Sequence, residues 1–341
     1  LLIVTENAFE ILEGQRALDP LTAVLRKETI PHALLFTGME GIGKRTAALA
    51  LAMACNCEAP AGPRDSLLSV ARCGCRSCRK IRSDHHPDIH RVAPSGAYIK
   101  IDQIRRMCRS LALKPYEARI RVAILAGAQH MNPEAANALL KMLEEPPDRT
   151  VLILTAVQAA DLLPTIVSRC RTVRFSPLPK SRVREILVRR YGLPPEEAAS
   201  LAELKSGIDI PENGMGPKEW ARWRAGILRI CADLSDPDPP RPPGMLLAFA
   251  ETLSKHRDIL SDSLDIIKTW LRDLMVCRYA PDHLINRDCG PILQNLSRKM
   301  TVQSLLSKID AVGAAQKALV SNANPRLTLE VLVLRLSRSE L

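Results

Sequence analysis

Aromatic residues are scarce in this chain, with three Trp, four Tyr and four Phe among 341 residues. A core so poor in rings must be built from Leu, Ala, Val and Ile. That balance favours helices and argues against an all-β sandwich or barrel. Long apolar runs are missing too: the longest, Ala47–Cys55, is about half of what a membrane span requires. The opening LLIVTENAFEILEG has no basic n-region and carries three early glutamates, so no secretory signal is expected. The chain does not begin with Met, which leaves processing, trimming or a wrongly assigned start open. A soluble, cytoplasmic protein without membrane contact is the expectation.

What is present supports a large core. The composition is 46% hydrophobic and 25% charged, and the length suggests two or three domains. A net charge of +11 and a pI near 9.3 permit contact with a polyanion without requiring it. Of ten cysteines, five fall between positions 55 and 78. In an intracellular chain such a cluster points to metal before it points to disulfides.

Along the chain, HALLFT, DIHRVA, VAILAG and VLILTA are short apolar runs separated by helical stretches, the βαβ signature of a parallel sheet covered by helices. This α/β domain is expected over residues 1–179. Helices alone are predicted over 180–233, where SRVREILVRRY and PEEAASLAELK are the clearest segments. The five prolines of DLSDPDPPRPPG cannot continue a helix and mark a linker at 234–244. Residues 245–341 are then expected to form an all-helical domain without internal repeats.

The clearest motif is Gly38-Met-Glu-Gly41-Ile-Gly43-Lys44, which follows the strand Ala33–Thr37 and opens the apolar helix Thr46–Cys55. In that context it predicts a phosphate-binding loop. Glycines let backbone N–H groups turn inward, the helix N-terminus adds positive potential, and Lys44 reaches the outer phosphates. Arg45 departs from the pattern: a Ser or Thr hydroxyl belongs there to ligate Mg²⁺. Thr46 lies about 100° further round the helix and is poorly placed to substitute. ATP or ADP binding is compatible with this loop, but magnesium positioning is impaired.

Four further segments carry a resemblance. Phe9-Glu-Ile-Leu-Glu-Gly14-Gln15, Asn132-Pro-Glu-Ala-Ala-Asn-Ala-Leu-Leu-Lys-Met-Leu-Glu-Glu-Pro-Pro147, Ser168-Arg169-Cys170 and Asn322-Ala-Asn-Pro-Arg-Leu-Thr-Leu-Glu330 resemble motifs of the bacterial DNA polymerase III clamp-loader subunits, spanning residue 9 to about 336. The resemblance implies a RecA-like AAA+ parallel-sheet domain, a small helical lid and an all-helical C-terminal collar that oligomerises. It also implies membership of a hetero-pentamer with gamma/tau and delta subunits that loads a sliding clamp on primed DNA during replication.

Within that family the residues favour the delta-prime type. An active member would end the strand Val122–Leu125 in Asp-Glu; aligned on the following helix, Ala126 and Gly127 stand there instead. With Arg45, three of the four residues handling metal and water are missing, so no hydrolysis is expected. Arg169 is intact. By itself it is compatible with a helix cap or salt bridge; through the resemblance it is an arginine finger acting on a neighbour's γ-phosphate. Thr155 occupies the place of a polar sensor, and Ser206–Gly216 lies where a second sensor arginine would begin, although that motif is absent. Two rivals remain: an active gamma/tau-type ATPase, and a zinc-bearing, DNA-binding P-loop protein.

Family members carry a small zinc module after the P-loop helix, here about 55–90. By the resemblance its ligands are Cys57, Cys73, Cys75 and Cys78, with Cys55 an alternate first ligand. Four thiolates would make a closed, structural tetrahedral Zn²⁺ site. The step Cys73-x-Cys75 is one residue shorter than the family's spacing. Reduced buried thiols, or replacement of one ligand by His85, His86 or His90, stay open. Arg72, Arg76, Arg79, Lys80 and Arg82 around the cluster make either a solvated basic face or a DNA contact. Trp220, Trp223 and Trp270 are expected to pack in the core or an interface.

Overall fold

In the computed structural model, the described residues are 6–27, 29–59, 67–96, 98–204, 217–236, 242–256, 259–321 and 323–337. They fall into two compact units, one running to Ile186 and the other beginning at Leu187. The segment Ser206–Gly216 lies outside the described residues, as do 237–241 of the proline-rich linker and 60–66 of the expected zinc module.

The first unit is built on five parallel strands, β1 (Ala33–Thr37), β2 (Ile89–Val92), β3 (Arg121–Leu125), β4 (Thr150–Ala156) and β5 (Arg171–Arg174). Their order across the sheet is β2-β3-β4-β1-β5. The inner strands β1, β3 and β4 are buried along their whole length, which explains their unbroken apolar runs: helices cover both faces. Side chains alternate between those faces. Leu35, Ala123, Leu125, Leu152 and Leu154 share a core with Ile104, Met107 and Leu111 of α4 (Ile101–Leu111) and Leu139 and Leu143 of α5 (Pro133–Glu144).

Against β3 and β4 also packs α2 (Lys44–Cys55), whose residues Ala47–Met53 are all buried. A helix apolar all round is one enclosed on every side. The first unit is completed by α1 (Leu18–Arg26), α3 (Arg76–Arg82) and α6 (Pro164–Val167). A five-stranded parallel sheet with a glycine-rich loop at the end of β1 is the α/β architecture that the resemblance implied. The strand that sequence patterning missed is β5. Its segment Arg-Thr-Val-Arg buries only Val173, because β5 is an edge strand, and its polar residues conceal the period of two.

The chain passes into the second unit along α7 (Lys180–Tyr191). That unit is helical throughout its described residues: α8 (Pro195–Leu204), α9 (Pro217–Ser235), α10 (Pro243–Lys255), α11 (Leu260–Val276), α12 (Gly290–Ser297), α13 (Val302–Val320) and α14 (Pro325–Ser337). Buried Trp270 anchors its core and donates to Ser235 Oγ at 3.1 Å. The buried Arg224 guanidinium reaches Asp288 at 2.7 Å and Asn286 Oδ1 at 2.7 Å, tying α9 to the segment before α12. Among the described residues no helix is long and apolar enough to cross a membrane.

Candidate functional site

The phosphate loop joins the end of β1 to α2. Gly38, Gly41 and Gly43 have φ of 141°, 75° and 95°, in the region that disfavours residues with a Cβ. Space is short as well. A Cβ on Gly38 would lie 2.5 Å from Ile42 Cδ1 and 2.6 Å from the Phe175 carbonyl oxygen. On Gly43 it would lie 2.9 Å from Leu12 Cδ2. The N-terminal segment therefore packs directly on the loop. Gln15 extends this, donating from Nε2 to the carbonyls of Ile42 at 3.2 Å and Ser176 at 3.0 Å. That bond spans most of the unit's sequence, so nothing local revealed it; membership in the Phe9–Gln15 motif was its only signal.

Lys44 is buried, and its ammonium donates to the carbonyls of Gly38 and, at 2.6 Å, Met39. The charge faces the loop's interior, where a phosphate would offer it a stronger acceptor. Arg45 is exposed on the first turn of α2, and Thr46 is half-buried.

Strand β3, separated from β1 by β4, offers no carboxylate at its end. Ala126 is buried, and its N–H donates to Val92 O at 2.8 Å. Gly127 has φ of 69°, and a Cβ there would come within 3.1 Å of His130 Cδ2. Its N–H donates to Thr155 Oγ1 at 3.0 Å, so the hydroxyl at the sensor place is engaged in holding the β3 exit.

Arg169 follows α6 and precedes β5. Its guanidinium donates to Glu144 Oε1 at 2.8 Å and to the Thr165 carbonyl at 3.0 Å. Glu144 ends α5, whose start is set by Asn132: the side-chain oxygen caps the Ala135 N–H at 3.0 Å ahead of Pro133. In the sheet, Arg171 is level with Leu34, while the phosphate loop begins four residues further along β1 at Gly38. Parallel strands rise about 3.3 Å per residue and β5 lies beside β1, so the backbone of Arg169 and the chain's own loop lie toward opposite ends of these two strands, more than about 13 Å apart along them.

The third cluster is sulfur. The Sγ atoms of Cys57, Cys73, Cys75 and Cys78 all lie within 4.8 Å of one another, with Cys57 and Cys73 at 3.6 Å. Tetrahedral Zn–S bonds of about 2.3 Å require S···S separations of about 3.8 Å. Cys75 caps α3, accepting from the Cys78 N–H at 3.4 Å. Burial alone would raise the Cys75 pKa, but N–H donors from Cys78 and Glu58 outweigh it and bring it to about 7. Burial and the surrounding sulfurs push Cys78 up, and burial raises Cys57. Four converging thiols therefore resist joint ionisation unless a cation joins them, and the donor set fits a metal ion. Cys55 is not among them. It is enclosed in the last turn of α2, where burial raises its pKa to about 12. His86 is also directed elsewhere, its Nδ1 accepting from the Asp88 N–H at 3.2 Å.

One buried anchor escaped sequence reasoning. Asp88 is fully buried and accepts from the N–H groups of Tyr116, Glu117 and Ala118 at 2.8 Å each and from Arg121 Nε at 3.1 Å. It fixes the loop that enters β3. Asn56, next to the first cluster cysteine, holds the same loop through Arg119 N at 2.9 Å and Ile120 O at 3.0 Å.

Comparison with known proteins agrees with this geometry. Residues 14–179 match the model of the family "DNA polymerase III, delta subunit", and residues 241–338 that of its C-terminal part. The DNA polymerase III subunit delta' of Bacillus subtilis (strain 168) is 32% identical over 94% of this chain and 95% of its own length. The chain belongs to the delta-prime family of DNA polymerase III clamp-loader subunits. The Escherichia coli (strain K12) delta' subunit is 26% identical, covering 89% of this chain and 88% of its own. A gamma/tau subunit, from Mycobacterium bovis, is 32% identical over 60% of this chain but only 35% of its own length. Similarity to delta-prime thus runs through both units, whereas this gamma/tau match does not extend over the whole of either chain.

Proposed function

We propose that this delta-prime family member is the stationary, non-hydrolysing subunit of a clamp loader formed with gamma/tau and delta subunits, and that it supplies Arg169 in trans. The observation that carries this is the separation of Arg169 from the chain's own phosphate loop along β5 and β1. If Arg169 serves a nucleotide at all, it serves a neighbour's. Glu144 and the Thr165 carbonyl hold it ready at the unit's edge. Arg45, Ala126 and Gly127 leave the chain's own site without groups to place Mg²⁺ or activate water. Gly38, Gly41, Gly43 and Lys44 would hold ATP or ADP without turnover, and these same losses disfavour the gamma/tau motor reading.

We assign zinc to the four cysteines, as a structural ion with no open coordination position. Residues 180–233 would serve as the lid and 245–341 as the collar contacting other subunits. The assembly would seat the sliding clamp on primed DNA in the cytoplasm.

Arg169→Ala in the reconstituted complex tests this reading. The complex should assemble, since a half-exposed arginine–carboxylate pair contributes only about 0–1 kcal/mol to stability. Hydrolysis at the adjoining ATP site should fall about a thousandfold, roughly 4 kcal/mol of transition-state stabilisation. Arg169→Lys should rescue poorly, because an ammonium lacks the planar fork. Unchanged site-by-site hydrolysis in an intact complex would rule the trans finger out.

A further inference from the structure

A chain with eleven aromatics exposes one of them on a loop held unusually firmly. Tyr116 is 84% exposed, and Leu113 beside it is 68% exposed. Yet the backbone beneath them is fixed. Asp88 takes the N–H groups of residues 116–118, Arg121 donates to the Lys114 carbonyl, and Asn56 holds residues 119 and 120. The phenol ring is thus presented to solvent from a platform whose ordering entropy is already spent in folding.

The charge around this ring is predominantly positive. Arg76, Arg79, Lys114 and Arg119 are exposed and make no ion pair with a described residue. Arg76 and Arg79 are three apart on α3, on the face opposite buried Ser77, Cys78 and Ile81. That face abuts the loop, because Lys80 of α3 bonds both oxygens of Glu117 at 2.7 and 2.6 Å. Glu117, the residue next to Tyr116, is thereby neutralised, and Glu58 is the opposing carboxylate that remains exposed.

We propose that Tyr116, with Arg76, Arg79, Lys114 and Arg119, forms a binding surface for single-stranded nucleic acid beside the cysteine cluster. Cations supply attraction to a phosphate backbone, and an exposed ring on a rigid loop supplies a stacking platform for an unpaired base. A duplex hides its base faces, so the aromatic favours single strands; an acidic peptide would use the cations and leave the ring idle. On this view the cysteine module and Asn56 act as the scaffold that aligns two basic elements around the ring. The surface belongs to this chain and does not depend on its place in the loader.

Fluorescence anisotropy of a labelled oligothymidylate with the purified full-length chain tests the proposal. Tyr116→Ala should weaken binding about fivefold to a hundredfold, the loss of one base–aromatic stack, while Tyr116→Phe retains it. Replacing Arg76 and Arg79 together by Ala should lower the slope of log affinity against log salt by about 1.4, at roughly 0.7 per phosphate contact. Tyr279→Ala, at another largely exposed ring in the second unit, should leave affinity unchanged. Each variant should keep its thermal midpoint and metal content. Absence of binding at low salt would overturn the proposal. So would affinity indifferent to Tyr116→Ala, or polyglutamate bound more tightly than oligothymidylate; the last result would mark an acidic-peptide surface instead.

Discussion

Replacing Asp88 by Ala should damage the first unit more than any single change at its surface. The carboxylate is fully buried, takes three backbone N–H groups, and faces Arg121, itself 6% exposed. Removing it strands those donors and leaves a buried guanidinium whose remaining partners are the carbonyls of Ser110 and Lys114. Breaking a buried pair from one side costs about 3–5 kcal/mol. For a unit of this size, each kcal/mol lowers the midpoint by about 2–4 °C, so a fall of about 6–20 °C is expected.

The pH dependence has a definite sign. Burial would raise the Asp88 pKa, but the N–H donors and Arg121 outweigh it and hold it below the ordinary carboxylate range. The stabilisation is then fully present above the unfolded-state pKa of about 3.9 and is lost as pH falls through the lower folded value. Thermal unfolding followed by circular dichroism at neutral and acidic pH would measure both effects. The gap between wild type and Asp88→Ala should close as pH drops toward the folded-state pKa. Adding Arg121→Met should recover part of the loss at neutral pH, because the stranded charge is then gone. A midpoint shift below about 2 °C, or a gap that widens in acid, would refute the reasoning.

Other outcomes follow from the same geometry. Cys78→Ser should remove a metal content of about one equivalent, read by elemental analysis, and expose residues 67–86 to amide exchange while the sheet stays protected. Gly43→Ala should cost at least about 1–2 kcal/mol of first-unit stability and abolish any nucleotide binding seen by calorimetry, since φ is positive and Leu12 occupies the space. Arg224→Ala should destabilise the second unit by about 3–5 kcal/mol in denaturant unfolding, because Asp288 loses the guanidinium that holds its carboxyl below the ordinary range despite burial.

Much of this protein was legible in its sequence. Strands β1, β3 and β4 announced themselves as short apolar runs, because a strand buried on both faces must be apolar throughout, and edge strand β2 was read from the run DIHRVA. The phosphate loop was equally readable, since its glycines, lysine and flanking strand and helix are contiguous. That Ala126 and Gly127, and no carboxylates, follow β3 was readable as well, a matter of residue type alone. What escaped were features whose partners lie far apart along the chain. The bond from Gln15 to Ser176 and the anchoring of residues 116–121 by Asp88 exist only after the sheet has assembled.

Edge strand β5 was hidden because only Val173 of its four residues is buried, too little to set a hydrophobic pattern. Cys57 was preferred from the resemblance with Cys55 left as an alternate, and the fold brings Cys57 to the sulfur cluster. The two are separated by one residue at the end of α2, and the helix turns one thiol into the core and releases the other toward Cys73. Composition and local periodicity determined which elements form; the register between β1 and β5 decided that Arg169 and the chain's own phosphate loop lie toward opposite ends of these paired strands, because strand pairing is a long-range choice that no local window contains.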